Sequence, residues 1–228
     1  MTTTLSPELV APEQVDKGKR LVRLAVVSAG AAVATIALAG LLDPGYSARS
    51  EAISALASEE SKSAAIMIFG FVAMAVTLLA SGSYLFTRLK GKAGKAGSAL
   101  VVVAGVLTLV AGFARQDCSN LQQACLAQEE AGLVSSHHVV HNLVSLVLFL
   151  VLIVGTFLLA SGVRRSGQPG LGRRTRFAAT ASLVLLLWFV SGAFGSNGGL
   201  VECAFIAVVF GTPVLLATRI LGRAQPVG

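Results

Sequence analysis

The only three histidines of the chain stand together in "SSHHVVHNLVS" (135–145), where a long apolar run begins. His137 and His141 are four residues apart, so they share one face of a helix, and Ser145 continues that face. Neutral imidazoles at this spacing are a legitimate metal pair, with Asp117 or Glu202 as a third ligand. No HExxH motif accompanies them, and no other helix carries a histidine. The expected site therefore holds no metal and needs no cofactor. Two other readings remain open. In one, His137 and His138 are solvated helix-entry groups and His141 hydrogen-bonds inside the fold. In the other, the imidazoles do acid–base or binding work, since a neighbouring carboxylate readily tunes a group whose ordinary pKa is about 6.5.

Eight of the eleven acids gather near the same level as these histidines: Asp43, Glu51, Glu59, Glu60, Asp117, Glu129, Glu130 and Glu202. Loops must carry some polar groups, which accounts for Glu59, Glu60, Glu129 and Glu130. Asp43, Asp117 and Glu202 sit at the edges of apolar runs, where ionisable side chains are expensive and tend to be functional. With His141 they are the candidate catalytic residues. Glu51, Arg115, His137, Asn142, Ser145 and Trp188 are the candidate substrate-binding residues. A carboxyl buried there without a partner keeps its proton, because desolvation disfavours the charged form. Such an acid can protonate an alkene, an epoxide or an ester oxygen. Arg115 beside a second acid is expected to hold that one ionised, with His141 accepting or relaying a proton.

These residues need elements to position them, and composition identifies the elements. Of 228 residues, 54% are hydrophobic and 13% charged, against about 25% charged in soluble domains. Apolar runs fall at 24–42, 64–86, 98–114, 139–162, 177–195 and 200–218. Each approaches the roughly 20 residues that cross a bilayer, and backbone in lipid must bond internally, which makes them helices. The first run lacks a small-residue cleavage site and reads as a retained helix. The expectation is an all-α polytopic membrane protein, a six-transmembrane-helix bundle over 24–218, with tails at 1–23 and 219–228.

Fifteen of the 18 Lys and Arg residues fall on one side of this array; only Arg49, Lys62 and Arg115 fall on the other. The positive-inside rule makes the basic side cytoplasmic, with both termini there, in a plasma membrane. The net charge of +7 is thus a topology signal, and without a folded polar domain there is no nucleic-acid partner. Cys118 and Cys125 fall on the outer, oxidising side, where a disulfide closing a short loop fits better than free thiols. Their x₆ spacing suits a zinc knuckle poorly. Cys203 reads as a small buried apolar residue. "GSNGGL" (195–200) makes a tight turn between the last two helices.

The segments "LLDPGYSARSEAISALAS", "GFARQDCSNLQQAC" followed by "HHVVHNLVS", and "GGLVECAFIAVVF" resemble signatures of a bacterial membrane family catalogued as domain of unknown function 998. The resemblance covers essentially the whole chain. It implies six helices and a polar cluster at the outer face, and it implies no activity. Where that family often has Gln-Arg after the Gly-Leu turn, this chain has Glu202-Cys203.

Three function classes follow. The first is an intramembrane acid–base enzyme acting on an isoprenoid or lipid, with terpene-cyclase-like or hydrolytic chemistry. The second is a lipid or small-molecule binding or export protein. The third is an accessory subunit of a membrane complex. Partners are membrane lipids and a hydrophobic small molecule, with a homo-oligomer or a membrane-complex partner open. Convergence of acids and histidines on one level favours the first class, since a scaffold has no need of it. The topology itself is testable: single cysteines at positions 92 and 122 should react with impermeant reagents from opposite sides of the membrane, and labelling from the same side would refute it.

Overall fold

The computed structural model describes residues 12–223 and is all helical apart from its turns. Seven α-helices are formed: α1 (Pro12–Leu42), α2 (Ala64–Arg88), α3 (Gly91–Phe113), α4 (Gln123–Glu130), α5 (Ser136–Arg165), α6 (Pro169–Val190) and α7 (Gly198–Arg223). A 3-10 turn, Ile53–Ala57, lies between α1 and α2. Of the expected tails, 1–11 and 224–228 lie outside the described residues. From Pro12 onward the N-terminal stretch already belongs to α1, and α7 continues to Arg223.

The six long helices pack in chain order as a ring, α1 on α2, α2 on α3, α3 on α5, α5 on α6 and α6 on α7, and α7 closes onto α1 and α2. Leu78, Leu152, Leu159, Phe205 and Val209 are among the side chains wholly enclosed by it. The outer surface is apolar too, with Val33, Leu41, Phe69, Leu150, Phe177 and Leu215 exposed, as lipid-facing helices require. Hydroxyls inside the bundle return to carbonyls of their own helix, as Ser98 does to Gly94 (2.8 Å) and Thr156 to Leu152 (2.8 Å). The protein is a polytopic membrane helix bundle.

Five of the helices, all but α6 and the short α4, are long and apolar enough to cross a membrane. α6 begins earlier than its apolar run, at Pro169, and carries Arg173, Arg174 and Arg176 in its first two turns. Its uninterrupted apolar part, 177–190, is about 21 Å long at 1.5 Å per residue, short of a hydrocarbon core of about 30 Å.

The tightest contact in the ring is α3 on α5. A Cβ on Gly97 would lie 2.7 Å from the Gly155 carbonyl oxygen, and one on Gly162 only 2.6 Å from Gly94 Cα. Two pairs of glycines thus let the backbones touch, which is how helices associate where lipid removes the hydrophobic drive. Gly162→Ala should lower the unfolding midpoint of the detergent-purified protein, by about 1–3 kcal/mol in stability. Gly211→Ala, in open space, should leave it unchanged or raise it; equal melting of the two variants would contradict the close contact.

Candidate functional site

The loop between α3 and α5 roofs one end of the bundle, and it is held by a chain of polar contacts. The Cys118–Cys125 disulfide is formed, with Cα atoms 5.7 Å apart, and it closes the first part of the loop. Asp117 binds Ser135 twice, taking hydrogen bonds from its N–H and its hydroxyl, both at 2.6 Å. Ser135 is also the N-cap of α5, accepting from the His138 N–H at 3.2 Å. The Asp117 N–H donates to His138 Nδ1 (3.0 Å), and His138 Nε2 meets Glu129 Oε1 (3.1 Å). Asn142 Nδ2 donates to the same Glu129 oxygen (2.6 Å), and Gln116 Nε2 donates to Asn142 Oδ1 (2.8 Å). Desolvation raises the Asp117 pKa, but the two Ser135 hydrogen bonds and the nearby His137 and His138 outweigh it and hold the carboxyl below its ordinary value.

A second roof element is the 43–63 segment. Asp43 caps it, accepting from the Gly45 N–H (3.3 Å), the Ser61 hydroxyl (2.7 Å) and the Lys62 N–H (3.2 Å). Arg115 ties it to the end of α3 by donating to the carbonyls of Ala57 (3.0 Å) and Ser58 (2.7 Å). The segment lies directly on the start of α7: a Cβ on Gly199 would collide with the carbonyls of Glu51 and Ala48. Glu202, 4% exposed, reaches back from α7 to accept the Ile53 N–H at 2.5 Å. Beside it, the Tyr46 phenol is pushed up from its ordinary value, first by burial and then by the acidic groups of Cys203, Glu202 and Glu51.

Beneath the roof lies a cavity of about 240 Å³ between α2, α5, α6 and α7, slightly below the 300–1,000 Å³ typical of ligand sites. Its roofed end presents Ser54, Gln116, Asn120, His141, Asn142 and Glu202. Its walls are apolar and reach Phe210, eight residues beyond Glu202 on α7 and thus about 12 Å deeper. Leu146 and Val190, both exposed on the bundle surface, also line it, so the cavity opens sideways between α5 and α6. The His141 Nδ1 lies 2.8 and 2.9 Å from the carbonyls of Ala111 and Ala114. Carbonyls only accept, so Nδ1 carries the proton and Nε2 keeps a lone pair. Gln116 Oε1 and Asn120 Oδ1 are buried and meet no hydrogen-bond donor among the described residues.

The structure therefore divides the expected cluster. His141, Glu202, Asn142 and Ser145 line the cavity. Asp43 and Glu51 border a separate polar hollow of about 170 Å³. Asp117 is spent on capping, and the expected single cavity holding all four candidate catalytic residues is not formed. Arg115 pairs with carbonyls instead of an acid because two backbone oxygens of the neighbouring turn come within its reach. Trp188 is half-exposed and donates to the Ala193 carbonyl (2.9 Å). His138 is wholly buried, whereas a solvated helix-entry role was open to it; the Asp117 N–H and Glu129 satisfy both its nitrogens. His137, with Nδ1 bonded to the Arg115 carbonyl (2.7 Å), lies near Glu59 and Asp117, and their ligand atoms fall within 4.8 Å of one another. Glu59 is exposed in this cluster, and among the described residues no cluster of ligand atoms joins His137 to His141. Sequence reasoning missed Gln116 and Asn120; two amides at the edge of an apolar run were the available signal.

The family described as "Protein of unknown function (DUF998)" matches the chain over residues 26–219. No curated protein and no solved structure matches it.

The capping carboxylate has a pH signature. A group whose folded pKa is depressed stabilises the fold fully above its unfolded value, about 3.9, and loses that contribution as the pH falls through the folded value. The wild type should therefore melt higher than Asp117→Asn at pH 7, and the gap should close on acidification below about pH 4. A gap that is constant down to pH 2 would contradict the ionised cap.

Proposed function

The chain belongs to the DUF998 family, and we propose that it admits an isoprenoid or lipid molecule into the cavity between α5, α6 and α7, where Glu202 and His141 act as acid and base. One observation carries this reading: among the described residues lining the cavity, the two side chains able to exchange a proton readily, a carboxyl and an imidazole from two different helices, both stand at the polar end of an apolar, laterally open space. The opening between α5 and α6 suits a molecule arriving from the lipid phase. Glu202 Oε2 is fixed by the Ile53 N–H, which leaves Oε1 to carry the acid proton. His141 is oriented by two carbonyls with Nε2 left as the base.

In the proposed step Glu202 delivers a proton to an alkene, epoxide or ester oxygen of the bound molecule, and His141 Nε2 removes one elsewhere on it. The rest of the cavity excludes water, which protects a cationic or activated intermediate from capture. Binding or export without turnover would use the same cavity. We place the protein in the plasma membrane with both termini cytoplasmic, because the basic connectors Lys90–Lys95 and Arg164–Arg174 lie at the end of the bundle opposite the disulfide. α6 then completes a sixth span, its three arginines at the head-group level of that basic end.

Native mass spectrometry of the detergent-purified protein should show a retained hydrophobic ligand. Glu202→Gln and His141→Ala should keep that ligand while slowing its conversion about 10²–10⁴-fold, the usual worth of general acid–base catalysis. Ligand retained without conversion by the wild type would make this a binding protein. Wild type that carries no hydrophobic molecule would sink the cavity reading.

A further inference from the structure

Resting on that reading of the cavity, we infer that the polar end of the ligand is a hydrogen-bond donor without negative charge, an alcohol or a primary amine, and that Gln116 reads it. The inference comes from the direction in which the roof's hydrogen bonds run. Amides can be turned either way in most sites, but here the Asp117 N–H fixes Asn142 and Gln116 in turn. The Asp117 N–H can only donate, so His138 Nδ1 accepts and Nε2 carries the proton. Nε2–H therefore donates to Glu129 Oε1. Asn142 meets that same carboxylate oxygen and must turn its NH₂ toward it, which turns its Oδ1 toward Gln116. Gln116 then has to present its own NH₂ to Asn142. What remains at the end of the chain is the Gln116 carbonyl oxygen, on a side chain 1% exposed, lining the cavity and without a donor.

A buried amide oxygen left unpaired is costly, and its natural complement is an N–H or O–H. One other polar atom at this end agrees with it. His141 Nε2 is a lone pair. A phosphate or carboxylate head group would face these acceptors without a cation to balance it, because no Lys or Arg lines the cavity. Arg115, next in sequence to Gln116, is occupied by the Ala57 and Ser58 carbonyls. The site thus selects against phosphorylated lipids and isoprenoid phosphates and in favour of their dephosphorylated or aminated counterparts.

The test uses four probes sharing one C15 tail: farnesol, farnesylamine, farnesyl methyl ether and farnesyl phosphate, titrated against the full-length protein in nanodiscs. Farnesol or farnesylamine should bind about tenfold tighter than the ether and the phosphate, the worth of one satisfied buried acceptor; which of the two is tighter separates an alcohol from an amine. Gln116→Met, close in volume, should reduce the discrimination between farnesol and its ether to about twofold or less, with ether binding unchanged as the control for folding. Ether or phosphate binding as tightly as farnesol in the wild type would overturn the inference while leaving the cavity reading intact. Discrimination that survives in Gln116→Met would overturn the role of Gln116. Failure of all four to bind would overturn both.

Discussion

The buried imidazole of His138 is the joint on which the acidic end of the bundle depends. It lies in the first turn of α5, takes the Asp117 N–H on one nitrogen and gives its proton to Glu129 with the other. Backbone and carboxylate groups at membrane depth must find partners within the protein, since lipid supplies none. One ring satisfies two such groups from opposite ends of the same loop. The double Asp117–Ser135 contact and the Cys118–Cys125 bridge hold the loop in the conformation that lets it do so. Without that joint, Asn142 and Gln116 lose their fixed orientation, and the cavity loses a defined polar end.

The roof and the walls then divide the labour. The glycine contact between α3 and α5 sets the distance at which the roof loop must span, and the 43–63 segment lying on Gly199 brings the Ile53 N–H to Glu202. Helices α5, α6 and α7 supply an apolar wall with a lateral opening. The result is an amphipathic space, polar at the roof and apolar along its walls. Its chemistry is carried by few groups, because most ionisable side chains at this end are used to hold the roof in place.

Much of this was legible in the residues. The apolar runs gave the long helices, and the loop cysteines and the compartment gave the disulfide. The gathering of acids and histidines gave the polar end of the bundle. What sequence could not give is azimuth. Asp43, Asp117 and Glu202 all sit at helix edges of similar depth, yet Asp43 and Asp117 turn into the loops they cap, and only Glu202 turns inward. That choice depends on where the Lys62, Ser135 and Ile53 backbone N–H groups fall after folding. The eight residues of α4, "QACLAQEE", carry no apolar stripe to announce a helix. Polar Arg173–Arg176 concealed the true start of α6, which Pro169 at its N-terminus and Gly167 with φ of +79° mark. His138 could not be told from His137 by type; only the side of the helix distinguishes a buried joint from a half-exposed neighbour.

The account stands or falls on whether the space between α5, α6 and α7 is occupied from the membrane. A photoactivatable, clickable C15 alcohol, crosslinked in native membranes and mapped by peptide mass spectrometry, measures this directly. The account predicts adducts on Leu146, Phe149, Phe189 and Ile206, all of which line the cavity, and their loss on competition with unlabelled alcohol. Adducts spread over the exposed lipid-facing positions Val33, Leu150 and Leu215, undiminished by competitor and absent from the cavity, would contradict it.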